Sequence, residues 1–519
     1  KFQPIIEVFS EFIQQLTAMW TPILMIFLIA GASSETFVQL MEWRFEDIAN
    51  ECETFLSKNG YTGVQVSPVM ESAVLDGRPW YERYQPFSYK IISRSGDAVA
   101  FKNMCDRCSK VGIKIIVDVL MNHMTANLPS TVRGTNGSVA DTLTKTYPAV
   151  PYTSEHFHPT CDIGTDYNNA TKVRVCELVA LHDLDQKQEY VREKLIAHLN
   201  QLIDLGATGF RIDAAKHMYP DDIELILRRT KPLPNGGKLF VFQEVPDDGG
   251  PEAIKPTDYF KIGLVTEFRY GTDMYLKANL SNKANLTALQ GFGSKMMDSD
   301  QAVVFIDNHD RQRDKDRALS FKLPSAYKAA NAFMLAWPYG KVKKIMSSYS
   351  FSNKDDGPPH NNDWTIKEVL VNGSCGNGWV CEHRWPEISA MVRFAQEMND
   401  TKATNFTFYP NNAISFQRPP KGFFYLSVGV PTGSTLVQTG LKPGKYCDVI
   451  SEAISGKSCG GSVVEVKENG WANITAPTQV TNKNFTIIAL SVNAKGAGNA
   501  ILGSTLLLLA AIWLTQSSK

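Results

Sequence analysis

The chain has no excess of either charge, no low-complexity repeats and no apolar run of the length that spans a membrane. Its 519 residues contain 53 lysines and arginines against 53 aspartates and glutamates. Because nucleic acids attract basic surfaces, this neutral balance gives no indication of a nucleic-acid partner. The apolar stretch near the end, residues 501–514, falls short of the roughly 20 residues that a membrane helix needs. The composition is that of a soluble globular protein, which we expect to be a monomer.

Cysteines and glycosylation motifs indicate the secretory pathway. Nine cysteines are present, and clustered cysteines are typical of proteins that fold in an oxidising compartment. Residues 19–34 contain an apolar run of signal-peptide length with a small-residue site, Ala30-Gly31-Ala32. Residues 1–32 are therefore expected to be upstream sequence and signal peptide rather than part of the fold. The asparagines of Asn-x-Ser/Thr motifs are Asn136, Asn169, Asn279, Asn285, Asn372, Asn399, Asn405, Asn473 and Asn484.

The tail, residues 491–519, has the features of a signal for a GPI anchor. Small residues at 491–499 precede the apolar stretch, which is the order that such signals use. A short tail anchor and an unused signal are the alternatives. The chain is thus expected outside the cell, and attachment to the cell surface through a lipid is a further expectation.

Short runs of β-branched and aromatic residues alternate with amphipathic segments from residue 36 to about residue 350. Two of these segments, 44–56 and 97–112, place apolar residues on one helical face. Eight strand-helix repeats in a chain of this length favour a (β/α)8 barrel with accessory domains. The eight runs are TFVQLME, GVQVSP, IKIIVDVLMN, GFRID, LFVFQEV, GLVTEF, AVVFIDNHD and KKIMSSY.

A long connection and a later change of pattern divide the chain further. The connection after the third strand is rich in Gly, Pro and Thr, and an unstructured loop of that length is rare in a compact domain. It is predicted to form an inserted subdomain. After about residue 408, short alternating strands favour a C-terminal antiparallel β-sandwich. The predicted domains are the barrel at 33–122 and 184–408, the insertion at 123–183 and the C-terminal domain at 409–490.

The stretch GFRIDAAKHM, residues 209–218, places two opposite charges on one face of a predicted strand. Phe210 and Ile212 would point one way, and Arg211 and Asp213 the other. Charges on an inner sheet face are unfavourable unless they serve a function or are well paired. A structural ion pair at a strand end is the alternative explanation.

In barrel enzymes the functional residues lie at the carboxyl ends of the strands. Asp213, Glu244 and Asp310 follow the predicted fourth, fifth and seventh strands, so three carboxylates are expected at one mouth. Cleavage of glycosides with retention needs a carboxylate nucleophile and a protonated carboxyl about 5 Å away. We expect Arg211 to lower the pKa of Asp213, as suits a nucleophile. The apolar setting of Glu244 in FVFQEV is expected to raise its pKa, as suits an acid.

Four segments, DVLMNHM, GFRIDAAKHM, FQEV and FIDNHD, resemble in order and spacing the signature regions of the α-amylase superfamily. Flanking strings such as RPWYERYQP, CELVALHDL and WVCEHRW are similar to those of animal-type α-amylases, and the resemblance spans about residues 35–490. The maltase and α-glucosidase branch shares the four regions but not these strings. The resemblance implies Asp213 as nucleophile, Glu244 as general acid/base and Asp310 as transition-state stabiliser. Asp118 and Arg211 would support them. The implied substrate-binding residues are Trp80, Tyr81, Tyr84, Gln85, His123, Tyr152, Arg211, Lys216, His217 and His309.

The resemblance also implies bound ions. A structural Ca²⁺ would be held by Asn122, Asp183 and the carbonyl oxygens of Arg174 and His217, all of them the oxygen donors that Ca²⁺ prefers. The alternative is that Asp183 only caps a turn. A chloride would involve Arg211, Asn308 and Lys344, although the family usually has arginine at the third position and lysine offers a point charge rather than a fork.

The cysteines are also similar in position to those of the family. Cys105 is left over as a core thiol, or as an alternative partner in place of Cys108. The implied disulfides are Cys52–Cys108, Cys161–Cys176, Cys375–Cys381 and Cys447–Cys459.

The segment after the seventh strand departs from the family. NHDRQRDKDRALSFKLP is highly charged, has no glycine and lacks the histidine of the family's mobile loop, so closure over long substrates is in question. The whole sequence predicts a Ca²⁺-dependent, retaining endo-hydrolase of α-1,4-glucosidic bonds in starch, glycogen and maltooligosaccharides. The alternatives are an exo-acting α-glucosidase or transglycosylase, and a surface-anchored amylase-like binding or receptor protein with weak activity.

Overall fold

The computed structural model describes residues 34–280, 283–314, 318–371, 375–451, 459–477 and 484–495. Most of the strands in these ranges coincide with the runs of β-branched and aromatic residues in the sequence. The strands are β1 Glu35–Leu40, β2 Gly63–Val66, β3 Met70–Ser72, β4 Pro86–Ser93, β5 Gly96–Asp97, β6 Lys114–Val119, β7 Gly209–Ile212, β8 Phe240–Gln243, β9 Leu264–Glu267, β10 Ala302–Phe305, β11 Val342–Ser347, β12 Thr404–Tyr409, β13 Ala413–Arg418, β14 Gly422–Val428, β15 Thr435–Gln438, β16 Gly444–Asp448, β17 Val463–Val466, β18 Trp471–Ile474 and β19 Phe485–Lys495.

Helices connect the barrel strands, and several begin at residues suited to a helix start. Asp97 caps α2 by accepting a hydrogen bond from the Ala100 amide. Proline occupies the first position of α5, α7 and α8, where its missing N–H is not needed. The two predicted amphipathic segments form α1 and α2. The α-helices are α1 Phe45–Thr54, α2 Ala98–Lys110, α3 Ala170–Val175, α4 Glu189–Asp204, α5 Pro220–Arg228, α6 Phe268–Asp273, α7 Pro324–Ala336 and α8 Pro386–Glu397.

Eight parallel strands close into a barrel in the order β1-β11-β10-β9-β8-β7-β6-β2. These are the eight strands that the sequence predicts, so the (β/α)8 prediction is confirmed. Side chains alternate along each strand, and the inward-facing positions form layers. The lower inward layer is apolar and consists of Phe37, Ile116, Phe242, Val303 and Val342.

The next inward positions, two residues further along the same strands, are mostly polar. Gln39, Asp118, Glu244 and Lys344 follow Phe37, Ile116, Phe242 and Val342 by two residues each. The apolar layer therefore closes the barrel from below, and the polar layer forms the floor of its mouth.

The predicted insertion, residues 123–183, is mostly irregular. It contains α3, and the disulfide Cys161–Cys176 closes it. An antiparallel bridge between His123 and Asp183 joins its two ends. The short sheet β3-β4-β5 is not among the strands that the sequence predicts, and it contacts the insertion through a bridge between Ala73 and Gly134.

The C-terminal domain is all-β and antiparallel, with the strand order β12-β13-β14-β19-β16-β17-β18-β15. Hydrogen bonds join the eight strands described in this domain, and the predicted antiparallel all-β C-terminal domain is confirmed. The sheet is continuous because β19 pairs with both β14 and β16, and its inner face surrounds its own apolar core. The domain starts earlier than the predicted residue 409, because β12 begins at Thr404.

The four predicted disulfides are present: Cys52–Cys108, Cys161–Cys176, Cys375–Cys381 and Cys447–Cys459. Cys105 is a buried free thiol, as expected for the leftover cysteine. The predicted signal peptide and the apolar tail lie outside the described residues. Among the residues that are described, no helix combines the length and the apolarity that crossing a membrane requires.

Candidate active site

The three predicted acids line one cleft at the carboxyl end of the barrel. Asp213 follows β7, Glu244 follows β8, and Asp310 lies in the connection after β10. The cleft has a volume of about 620 Å³, and a cavity of this size at the strand ends is typical of a ligand site. The parallel strands bring the three side chains together, although the acids are far apart in the sequence.

Arg211 is the common partner of the acids at the floor of the cleft. Its Nη1 contacts Asp118 Oδ1 at 2.6 Å and Asp213 Oδ1 at 2.5 Å, and its Nη2 contacts Glu244 Oε1 at 2.7 Å. One planar guanidinium therefore keeps Asp213 and Glu244 adjacent to each other. The predicted pairing of Arg211 with Asp213 is confirmed, but it is one of three contacts rather than an isolated strand-end pair.

The predicted direction of the pKa of Asp213 is wrong. Burial raises this pKa well above its ordinary value; Arg211 opposes the rise, and the nearby carboxylates of Glu244 and Asp118 add to it. The single positive charge of Arg211 is shared by three acids, so it does not offset the loss of hydration. Positive charge that develops on a bound substrate would favour the ionised form of Asp213.

Glu244 lies in less apolar surroundings than the FVFQEV context suggests. Its Oε1 contacts Arg211, and its Oε2 accepts a hydrogen bond from the Ala214 amide at 2.9 Å. Ala214 has a left-handed conformation, with φ of 48°, which turns the chain directly after Asp213. The bend aims the Ala214 N–H at Glu244 and fixes this carboxyl relative to Asp213.

Aromatic side chains form one wall of the cleft. Trp80, Tyr81, Tyr84 and Gln85 all line it, as predicted. The Tyr84 ring stacks on His309 with centroids 5.2 Å apart, and its hydroxyl donates to Asp118 Oδ2 at 3.0 Å. Sugars bind by laying apolar C–H faces on aromatic rings, so this wall suits a carbohydrate.

Tyr152 does not reach the cleft, which corrects its predicted role. The side chain is fully buried in the insertion. Its hydroxyl lies 3.3 Å from that of Tyr89, and its ring packs against Phe157 and Tyr190. Position in the sequence could not reveal this, because the folding of the irregular insertion decides which side of Tyr152 is covered.

Two histidines in the cleft have defined hydrogen-bond partners. The Nε2 atom of His123 lies 3.1 Å from the Tyr84 carbonyl oxygen, and burial lowers the pKa of His123 to about 4. The Nε2 atom of His309 lies 3.3 Å from Asp310 Oδ2. Burial holds the pKa of His309 well below its ordinary value, with Arg211 adding to the effect. Both rings are therefore neutral near pH 7.

Ion pairs occupy the opposite side of the cleft. Lys216 Nζ pairs with Glu252, donates to the Pro246 carbonyl at 2.6 Å and lies over the Tyr167 ring. The predicted residue His217 also lines this side and contacts the Val173 carbonyl through Nδ1 at 3.0 Å.

A second ion pair on this side involves two residues that are not among the predicted site residues. Arg311 contacts Asp248 Oδ2 at 2.7 Å, and both residues line the cleft. The sequence feature that could have indicated Arg311 is the string NHDRQR, in which Arg311 directly follows the acid Asp310. Its neighbour Arg313 donates to the His309 carbonyl and the Tyr349 hydroxyl, both at 2.8 Å. The connection after β10 is thus fixed to the barrel mouth as far as Arg313.

The residues implied for Ca²⁺ fit a hard cation. Asn122 Oδ1 and Asp183 Oδ1 are both buried and without a hydrogen-bond partner, which is unfavourable unless another group supplies positive charge. The described part of the chain holds no cluster of three or more His, Cys, Asp or Glu side chains suited to a metal. The implied set has a single carboxylate, because an amide and the carbonyls of Arg174 and His217 supply the other oxygens.

The residues implied for chloride do not fit an anion. Lys344 donates to Gln39 Oε1 at 2.8 Å and to Gln65 Oε1 at 3.3 Å. Asn308 Nδ2 donates to Asp310 Oδ2 at 3.3 Å, and Arg211 is engaged by three carboxylates. The positive and polar donors of this set are thus directed at protein oxygens rather than at a shared anion position.

Known proteins share this architecture and sequence. Residues 53–235 match the catalytic-domain family of alpha amylase, and residues 405–492 match its C-terminal all-beta domain. Alpha-amylase-related proteins of Drosophila jambulina and Drosophila willistoni are 45% and 44% identical to this chain, covering 89% and 86% of it and 94% and 91% of their own lengths.

A solved structure agrees with the sequence relatives. Alpha-amylase I from Eisenia fetida superposes with a TM-score of 0.81 at 36% identity, covering 88% of this chain and 97% of its own. A mutant of that protein has been solved in complex with maltohexaose. Identity at this level over nearly the whole of each relative, together with the barrel and its acidic cleft, shows that the chain belongs to the α-amylase family.

Proposed function

We propose that this protein is a retaining, endo-acting hydrolase of α-1,4-glucosidic bonds in starch, glycogen and maltooligosaccharides. The observation that carries the proposal is the contact of Asp213 and Glu244 with one guanidinium, with Asp310 on the same cleft. Retention requires two carboxyl groups close together at one bond. The maltohexaose complex of the Eisenia fetida relative supports an α-glucan as ligand.

In the proposed reaction, Asp213 attacks the anomeric carbon and Glu244 protonates the departing glycosidic oxygen as the C–O bond breaks. Arg211 holds Oδ1 of Asp213, which leaves Oδ2 for the attack. A water molecule then gives a proton to Glu244 and attacks the same carbon, which releases Asp213 from the covalent intermediate. Asp310 stabilises the positive charge on the sugar ring.

The remaining cleft residues would bind and orient the glucan. Trp80 and Tyr84 offer aromatic faces to glucose rings, while His123 and His309 would hydrogen-bond sugar hydroxyls. Ca²⁺ held by Asn122 and Asp183 would supply a structural link between the barrel and the insertion. Because His123 pairs with Asp183 in the bridge that joins the ends of the insertion, this link would keep His123 in place.

Turnover of starch by wild type and Glu244→Gln tests the proposal. Loss of a general acid typically lowers kcat about 10²- to 10⁴-fold, and Glu193→Gln on the exposed surface of α4 serves as the matched control. Equal turnover rates for wild type and Glu244→Gln would exclude the proposed enzymatic function. Wild-type protein that binds starch without turnover would instead favour a binding or receptor role.

Product analysis separates endo-action from exo-action. An end-labelled maltooligosaccharide should yield labelled products of several lengths from an endo-acting enzyme, because internal bonds are cut. Release of glucose or maltose alone from one end would favour the exo-acting α-glucosidase.

We also propose that the protein is secreted, and that its tail directs attachment to the cell surface. Four disulfides among the described residues suit an oxidising compartment. Release from intact cells by a phosphatidylinositol-specific phospholipase tests the anchor, and protein that stays on the membrane or appears directly in the medium would contradict it.

A further inference from the structure

Three buried side chains lie in the barrel just beneath the acids. Gln39 on β1, Gln65 on β2 and Lys344 on β11 point into the interior and are at most 3% exposed. The Lys344 ammonium donates to Gln39 Oε1 at 2.8 Å and to Gln65 Oε1 at 3.3 Å. Family resemblance assigned no role to either glutamine.

The ammonium decides which way both amides face. A lysine ammonium has donors and no acceptor, so each glutamine must direct its oxygen at Lys344 and its NH₂ group away from it. Burial lowers the pKa of Lys344 to about 8, so the ammonium predominates at neutral pH. The NH₂ group of Gln65 then faces Asp118 Oδ2 at 3.5 Å, and that of Gln39 faces His309 Nδ1 at 3.0 Å.

The contact with Gln39 determines the position of the proton on His309. The ring is neutral and carries a single N–H. Because the Gln39 amide donates to Nδ1, this nitrogen must be the acceptor, and the proton must be on Nε2. The opposite tautomer would set two N–H groups against each other at Nδ1 and would direct the Nε2 lone pair at the Asp310 carboxylate.

We propose that Lys344 and Gln39 are positioning residues that hold His309 as its Nε2–H tautomer, with this N–H aimed at Asp310 and at a sugar hydroxyl bound beside it. The Nε2–Asp310 Oδ2 distance of 3.3 Å and the stacking of His309 on Tyr84 fix where the N–H points. The role in catalysis rests on the proposed hydrolase function, whereas the tautomer itself does not.

Histidine side-chain ¹⁵N NMR of the wild-type protein tests the tautomer directly. Protonated and unprotonated ring nitrogens have well separated shifts, and the His309 signals can be assigned by their loss in both His309→Asn and His309→Gln. We expect a protonated Nε2 and an unprotonated Nδ1 at pH 7. A proton on Nδ1, alone or together with one on Nε2, would overturn the proposal. This result does not depend on whether the protein turns over starch.

Gln39→Glu is the variant that should reverse the tautomer. Its carboxylate is isosteric with the amide but can only accept, so it would take a hydrogen bond from Lys344 and draw the His309 proton to Nδ1. Loss of one well-placed hydrogen bond in the transition state corresponds to up to about a 10-fold loss of rate, and we expect this loss in kcat with a smaller change in KM. Gln201→Glu on the exposed face of α4 is the matched control.

Gln39→Met is a second variant that tests the same role if Gln39→Glu does not fold. Gln39→Met keeps the length of the side chain but removes both hydrogen bonds, and it should give a mixture of the two tautomers. An unchanged Nε2–H signal in a folded Gln39→Met or Gln39→Glu protein would refute the role of Gln39. If wild-type protein shows the expected tautomer but does not hydrolyse starch, the tautomer is established and the hydrolase proposal is refuted instead.

Discussion

Replacing Arg211 by glutamine is expected to weaken the fold and the site together, because one guanidinium contacts Asp118, Asp213 and Glu244. Removing one partner of a buried ion pair costs about 3–5 kcal/mol. Three carboxylates lose their cation here, but they can bind protons instead of remaining charged. We therefore expect the free energy of unfolding at pH 7 to fall by about 3–5 kcal/mol, not by three times that amount.

Arg211→Lys separates the charge from the geometry. Lysine keeps the positive charge but lacks the planar fork that reaches three carboxylates. The loss of one charged hydrogen bond corresponds to about 1.5–3 kcal/mol, so this variant should lie between the wild type and Arg211→Gln.

The pH dependence of activity should change in a defined direction. Arg211 lowers the pKa of Asp213, so its removal raises that pKa. Asp213 must be ionised to attack, and the acid limb of the kcat/KM profile should therefore move to higher pH. Each 1.4 kcal/mol of lost interaction corresponds to about one pH unit, so we expect a shift of at least about one unit in Arg211→Gln and a smaller one in Arg211→Lys.

Equilibrium unfolding in urea and pH–rate profiles on a soluble maltooligosaccharide measure the two effects. Lys102→Gln, which breaks an exposed pair with Asp106 on α2, is the control and should change stability by less than about 0.5 kcal/mol. If Arg211→Gln were as stable as this control and its acid limb stayed in place, the shared-cation argument would be refuted.

Two further predictions concern the metal and the ion pair between Arg311 and Asp248 in the cleft. EDTA should lower the Tm of the wild type but not that of Asp183→Asn, because the buried Oδ1 atoms of Asp183 and Asn122 have no protein partner and would bind Ca²⁺. Calorimetry measures both Tm values, and an unchanged wild-type Tm would contradict the Ca²⁺ site. Arg311→Asn should break the pair with Asp248 and change the ratio of products from a labelled maltooligosaccharide by up to about fivefold, because an exposed ion pair contributes up to about 1 kcal/mol. An identical product ratio would contradict a role of Arg311 in substrate positioning.

Local sequence patterns predicted the barrel strands and the residues at their ends. The eight runs of β-branched and aromatic residues became the eight barrel strands because strand formation and inward-outward alternation depend on near neighbours in the chain. The same alternation places Arg211 and Asp213 on the inner face. The topology then brings Asp213, Glu244 and Asp310 to one mouth, since all parallel strands end on the same side.

Other features could not be predicted from local patterns. Tyr152 lies in an irregular insertion, where no periodicity indicates which side chains are covered. The continuous C-terminal sheet depends on the pairing of β19 with two partners that are distant in sequence. Glutamines at inward strand positions, such as Gln39, were visible in TFVQLME, but their partner Lys344 lies some 300 residues away along the chain.

The sequence by itself determined which acids lie at the strand ends and which family motifs surround them, because the spacing of residues along one strand determines which way each side chain points. Only the tertiary structure decided how these groups are charged. The residues packed around the site determine how much hydration each acid loses and how many carboxylates share the charge of Arg211. The pKa of Asp213 and the tautomer of His309 therefore depend on the whole barrel mouth.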